Sequence, residues 1–391
     1  MSAHHYATAL AEALGRLSRI CCHYLGDEYS SKQEPKVSPE KDLETRQVNL
    51  NKVEATLLPA IRDLVVELLK VLDLPPKESM FPKTKLNNAW EIVHRLSSVL
   101  YKLRSSVTPP NYFDHQIYRL TQQTYVDLKQ FRCQHLQKKV TELIEDDLGH
   151  LFNHLSCFIS AGDYYYSDHK PPEPSGRQPR LPPMRILSQF QVNIARILKN
   201  IRRSDFGILQ SIWTESEDLL GTYIPQVLDS IHRLKIRHPF KTEPNSIGPI
   251  HRHLQRLKQT IILLRLGRIF FKKIGSTLLF TFSDEMSTAE LQFFSGLSNS
   301  ISFHLAWITS YVTNAADLQE IPHDHWRNER TSHLIKEINR SLEFISSHMI
   351  PSDPTHTVDD IMDQLFGTFK SAFFPHLDNI MADISRFQAG N

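Results

Sequence analysis

Ile250–Gly275 reads IHRHLQRLKQTIILLRLGRIFFKKIG, and this stretch decides the fold. From Ile261 to Phe271 the residues are apolar on nearly every side of a helical wheel, the mark of a helix enclosed by others in a larger bundle. The same stretch carries Arg252, Arg256, Lys258, Arg265, Arg268, Lys272 and Lys273, and it holds no acid. An enclosed helix that is also strongly basic needs its cations confined to an edge. The spacing predicts that Ile262, Leu263, Leu266, Ile269, Phe270 and Ile274 are buried. It predicts that Arg265, Arg268 and Lys272 line the charged edge, and these three are the candidate partner-binding residues.

Composition extends this helical reading to the whole chain. Glycine is 13 of 391 residues, below the roughly 7% of ordinary proteins. Leu, Glu, Lys, Gln and Arg, all good helix formers, are plentiful. The hairpin pairs Asn-Gly and Asp-Gly are missing. Working outward, Leu291, Phe294, Leu297, Ile301, Leu305, Ile308 and Val312 step by three and four along the next helix. Ser287 followed by Glu290 is a capping box that starts that helix. The connector at 278–284 is short and apolar and is expected to be buried. Helices over about 325–348 and 357–387 close the chain, the last with Pro375 inside it.

Upstream, three-and-four spacing places helices over about 3–25, 40–72, 86–103, 111–161, 184–203 and 205–235. Pro59 and Pro225 should kink or split theirs. The segment 111–161 reads as one very long helix or two broken near Gln130. Residues 162–183 contain six prolines and two glycines, which cannot continue a helix. The expected fold is therefore all-α, about ten helices in two antiparallel bundles. The expected domains are 1–161, a proline-rich linker at 162–183, and 184–391.

A net charge of +2 hides a split. Residues 184–283 hold 16 Lys or Arg against 6 Asp or Glu, a balance of +10; residues 284–391 hold 6 against 15, a balance of −9. The reading favoured by this split is internal: basic and acidic helices of one bundle attract and fix which lies beside which. The second reading is a basic surface that recruits an acidic protein, nucleic acid or phospholipid head groups. Phe270 and Phe271 lie among the cations, but their spacing makes them core and not a base-stacking platform.

Leu291–Ala316 has no Lys, Arg, Asp or Glu, yet eleven Ser, Thr, Asn, Gln and His residues interrupt it. It reads as a bundle helix and not as a membrane span. Cys21, Cys22, Cys133 and Cys157 lack the spacing of a disulfide framework. The N-terminus has no basic n-region and places Glu12 within its apolar part, unlike a signal peptide. These points imply an intracellular protein of cytoplasm or nucleus with reduced thiols.

Chemistry-bearing patterns are few. His150, His154 and Cys157 share one helix face, but a fourth zinc ligand is not apparent. His323-Asp324 with Asp353, Asp359 or Asp360 could sketch the metal set of helical phosphohydrolases, although Asp324 reads more simply as an N-cap. The paired acids Asp146-Asp147 and Asp359-Asp360 read as helix-end charges. Walker, Rossmann, HExxH, CxxC and nucleophile-elbow motifs are missing. No enzyme activity, cofactor or metal is expected. The leading function is non-catalytic protein–protein interaction. Electrostatic binding of nucleic acid or an acidic membrane surface through helices of 184–273 is the first alternative, and a metal-dependent hydrolase the second.

LRLGRIFFKKI at 264–274, followed by MSTAEL at 286–291, resembles a large family of uncharacterised proteins from rust fungi. FRCQHL at 131–136 and Trp213 are further points of likeness. The helix order is similar to the cyclin-D-binding-protein-like helical family, which implies a two-bundle interaction protein. The first family carries no activity to transfer to particular residues. With Phe270 placed in the core, Phe270→Ala is expected to cost on the order of 3–5 kcal/mol. A thermal melt with unchanged Tm would refute that placement.

Overall fold

The computed structural model describes residues 3–22, 39–72, 83–107, 130–164, 183–237, 244–276, 278–283, 286–314 and 325–389. Within them the fold is all-α, with ten continuous helical runs and one two-stranded ladder. The chain forms two compact units, Met1–Arg203 and Ser204–Asn391.

The first unit comprises α1 (Ala3–Cys22), α2 (Pro39–Lys52), α3 (Leu58–Leu72), α4 (Lys83–Val107), α5 (Gln130–Glu142), α6 (Gly149–Tyr164) and α7 (Pro183–Ile201). Two π-helical segments, Val53–Leu57 and Leu143–Leu148, join α2 to α3 and α5 to α6 without a break. The first lies just before Pro59. A proline has no N–H and its ring collides with the carbonyl four residues back. Here the Leu58 N–H reaches five residues back to the Val53 carbonyl, so the wider turn absorbs the proline and the helix neither stops nor splits. The expected break near Gln130 borders residues 108–129, which lie outside the described residues.

α1 packs along α6 and against α4, and it buries Leu10, Leu14, Leu17 and Cys21. Ser18 Oγ donates to the Gly149 carbonyl at 2.8 Å, and Ser156 Oγ to that of Ala11 at 2.8 Å. Such bonds need closely spaced helices. A Cβ at Gly149 would stand 3.3 Å from Cys22 Sγ, and one at Gly15 would stand 3.4 Å from Ser156 Oγ.

The boundary between units differs from the one read from the prolines. α7 sends Ile186, Leu187, Phe190, Ile194 and Ile197 into the core of the first unit. Residues 184–203 therefore belong to that unit, and the division falls at 203/204 rather than at the proline-rich stretch. Prolines interrupt a helix, but burial decides which core the next helix joins.

The second unit comprises α8 (Asp205–Arg237), α9 (Pro244–Ser276), β1 (Phe280–Phe282), α10 (Thr288–Asn314), α11 (His325–His348), β2 (Met349–Pro351) and α12 (Val358–Ala389). α9 is the helix of the opening stretch, and it packs against α8, α10 and α12. It begins at Pro244, earlier than expected, with proline in the first turn where its missing N–H costs nothing. Pro225 and Pro375 sit inside helices that continue through them.

Leu257, Ile261, Leu263, Leu264, Phe270, Phe271 and Ile274 of α9 are buried. Ile262 and Leu266 are half-buried, and Ile269 is 44% exposed, contrary to its expected burial. Three enclosing helices leave one side of α9 open, and Ile269 faces that side. Phe270 lies 5.1 Å from Phe369 and 5.5 Å from Phe366 of α12 between ring centroids.

The α10 stripe Leu291, Phe294, Leu297, Ile301, Leu305, Ile308 and Val312 is wholly buried, as its spacing requires. Trp213 of α8 donates its indole N–H to Ser298 of α10 at 3.1 Å inside this core. Within the connector, residues 280–282 form a strand: Phe280 and Phe282 point inward and Thr281 outward. β1 pairs antiparallel with β2 in the register Phe280↔Pro351, Thr281↔Ile350 and Phe282↔Met349. Leu278 is 87% exposed, so the connector is not buried throughout. No helix among the described residues is long and apolar enough to cross a membrane.

Gly267 marks the closest approach in the second unit. A Cβ there would stand 2.7 Å from Leu305 Cδ1 and 3.0 Å from Leu220 Cδ1. Gly267→Val is expected to destabilise the protein by about 1–3 kcal/mol through overpacking, outweighing the helix-propensity gain of valine over glycine of about 0.4 kcal/mol. Denaturant unfolding of the variant checks this; equal or greater stability would refute the close approach.

Candidate partner-binding face of helix α9

The open side of α9 carries a run of outward side chains. Lys258, Arg265 and Lys272 are exposed, with Ile262 half-buried and Ile269 exposed between them. Among the described residues no carboxylate lies within ion-pairing distance of these three cations. Two of the three candidate residues, Arg265 and Lys272, thus stand on a solvent-facing edge seven residues apart.

Arg268 does not share that edge. It reaches across to α8, where its Nη2 lies 3.3 Å from Glu217 Oε1, with side chains 40% and 20% exposed. Its guanidinium lies over Gly221, whose absent Cβ would stand 3.5 Å from Arg268 Cζ. Arg268 therefore pairs two helices of one unit. Lys273 is also drawn inward and donates to the Leu365 carbonyl of α12 at 2.6 Å. Arg256 is buried. These inward cations hold α9 to its neighbours, one through a carboxylate of α8 and one through a carbonyl of α12.

Several residues of the other candidate constellations have structural partners. Described residues include no group of three or more His, Cys, Asp and Glu placed to hold a metal ion, and this covers His150, His154 and Cys157. His323-Asp324 lies outside the described residues. Asp353 accepts from the Thr355 N–H at 2.9 Å, and Asp360 caps α12 by accepting from Thr357 N–H at 3.0 Å and Oγ1 at 2.7 Å. Asp147 accepts from Asn193 Nδ2 at 2.7 Å, while burial raises its pKa. Cys21 is fully buried, and desolvation pushes its thiol up to about 12. A thiol held protonated is a poor nucleophile. None of the four cysteines joins another in a disulfide.

One set of residue types looks catalytic and is not arranged so. Ser287 Oγ donates to Glu290 Oε2 at 2.8 Å, and the Ser287 N–H donates to the same oxygen at 2.7 Å. The Glu290 N–H donates back to Ser287 Oγ at 3.2 Å. His348 Nε2 lies 3.3 Å from Glu290 Oε1. Nucleophilic catalysis needs the imidazole between hydroxyl and carboxylate, so that it can take the hydroxyl proton. Here the carboxylate stands in the middle, and the group is the expected capping box tied to the end of α11.

Two family models match the chain. Residues 46–202 match the model described as Domain of unknown function (DUF8723), and residues 204–380 match that described as Domain of unknown function (DUF8721). The junction between the two matches coincides with the division between the compact units at 203/204. The first match begins after α1, although α1 supplies five side chains, Leu10, Ala11, Leu14, Leu17 and Cys21, to the core of that unit. A comparison with curated proteins finds no match.

The Glu290 pKa is lowered, first by the Ser287 backbone N–H and further by the serine hydroxyl and His348. A lowered carboxylate stabilises the fold above its ordinary value of 4.5, and that contribution is lost as pH falls through the folded value. Ser287→Ala is expected to cost about 1 kcal/mol at neutral pH and to flatten the acid limb of the stability profile in part, since the backbone N–H that contributes most to the lowered pKa remains. Tm measured from pH 7 down into the acid range for both proteins checks this; parallel profiles would refute it.

Proposed function

We propose that this chain is a non-catalytic helical interaction protein that binds an acidic protein partner through the outward edge of α9. One observation carries the reading: Lys258, Arg265 and Lys272 face solvent on the side of α9 that its three neighbours leave open. A carboxylate-rich surface is the complement of such an edge, and the attraction adds rate and specificity to association. The isoleucines between the cations favour a protein over the alternatives. Phosphate backbones gain little from exposed Ile, and the rings beside these cations, Phe270 and Phe271, are buried and cannot stack on bases. A membrane surface would call for an outward apolar face, whereas the main apolar face of α9 is enclosed.

Cytoplasm or nucleus is the setting we propose, in keeping with four cysteines that form no disulfide with one another. Similarity of helix order to the two-bundle cyclin-D-binding-protein-like family supports an interaction role. The Leu264–Ile274 and Met286–Leu291 patches group the chain with the uncharacterised rust-fungus proteins.

The test pairs the wild type with Arg265→Glu/Lys272→Glu, both exposed positions, against an unstructured glutamate-rich peptide, duplex RNA and phosphatidylserine vesicles. Wild type is expected to bind the peptide in a salt-sensitive way, and the double variant to bind it at least about tenfold more weakly. Preference for RNA or vesicles that the double variant abolishes would replace the acidic protein with that ligand. Binding to none of the three would overturn the reading.

A further inference from the structure

The outward edge of α9 repeats. Lys258, Ile262, Arg265, Ile269 and Lys272 follow one another at steps of four, three, four and three. Cations recur every seven residues, and isoleucines recur every seven residues between them. An average step of 3.5 residues is the spacing of a coiled-coil seam, which keeps successive side chains facing one neighbouring helix. Lys258 to Lys272 covers about 21 Å at 1.5 Å per residue, two heptads of contact. In seam terms, β-branched apolar residues occupy one layer and cations the other.

Resting on the acidic-partner reading above, we infer that this edge docks an amphipathic helix of a partner protein, packed along α9 as the second strand of a short seam. That helix carries a carboxylate every seven residues to meet Lys258, Arg265 and Lys272. Between these it carries an apolar residue to cover Ile262 and Ile269. A disordered acidic tail would use the cations and leave Ile269 in water. A helix in this register uses both.

A second copy of this chain does not fit the seam. α9 against α9 sets three like charges opposite one another in each direction, which is costly. No described helix of this chain carries two carboxylates seven residues apart. Among the described helices, the charge pattern therefore favours a different protein on this edge.

The experiment uses the full chain and two fluorescein-labelled peptides, each of about three heptads. One carries Glu at every cation-facing position and Leu at every isoleucine-facing position, with Ala and Gln elsewhere. The other has the same composition in scrambled order. Fluorescence anisotropy is expected to show the in-register peptide binding at least about tenfold more tightly. Ile269→Ser and Lys272→Glu are each expected to weaken that peptide, with unchanged Tm because both positions are exposed. Ile269→Ser is expected to leave the scrambled peptide unaffected. Equal affinity for the two peptides, or no effect of Ile269→Ser on the in-register one, would overturn the seam while leaving an acidic partner in place. Failure of both peptides to bind would remove the seam and the acidic partner together.

Discussion

The second unit depends on how closely α9 can approach α8 and α10. Gly267 makes that approach possible, because Leu305 from one side and Leu220 from the other occupy the space where a β-carbon would stand. Around this point Leu263, Leu264, Phe270, Phe271 and Ile274 are shut away from water, and burial of that kind is the main favourable term in folding. Glycine in a helix interior is unfavourable by itself, by roughly 1 kcal/mol against alanine. The neighbouring leucines return that cost through contact, which explains how LRLGRIFF can be both helical and central.

Enclosure on three sides also sorts the cations. Long side chains on the inward flanks must find partners before their charge can be tolerated, and Arg268 and Lys273 find Glu217 and the Leu365 carbonyl. Those on the open side stay hydrated. The same helix thus performs two tasks that its composition alone merges: it fills the centre of a bundle and presents a charged edge. The first unit solves its own close approach differently, with Gly15 and Gly149 admitting serine-to-carbonyl bonds between α1 and α6.

Periodicity made much of this legible. The α10 stripe and the Ser287–Glu290 cap are local patterns of side-chain spacing, and they stand in the structure as read. Ile269 was misplaced because a wheel that is apolar all round cannot say which side is left uncovered; that depends on the number of neighbours. Arg268 was grouped with Arg265 and Lys272 for a similar reason, since its partner Glu217 lies 51 residues away on another helix. The domain boundary went to the most proline-rich segment, although the apolar face of α7 decides which core it joins. The step of four and three through Lys258, Ile262, Arg265, Ile269 and Lys272 was visible all along, but it acquires meaning only once that face is known to be open.

The small ladder between β1 and β2 has a topological effect larger than its size. It ties the segment just after α9 to the segment just after α11, and Ser352 N–H adds a bond to the Leu279 carbonyl at 2.8 Å. Everything between, α10 and α11 included, becomes an excursion closed at its neck. Both helices are thereby tethered at the same point, in addition to the packing of α10 on α8 and α9. α9 and α12 lie outside that loop and face each other directly through Phe270, Phe366 and Phe369. The charged edge of α9 lies outside that closed excursion.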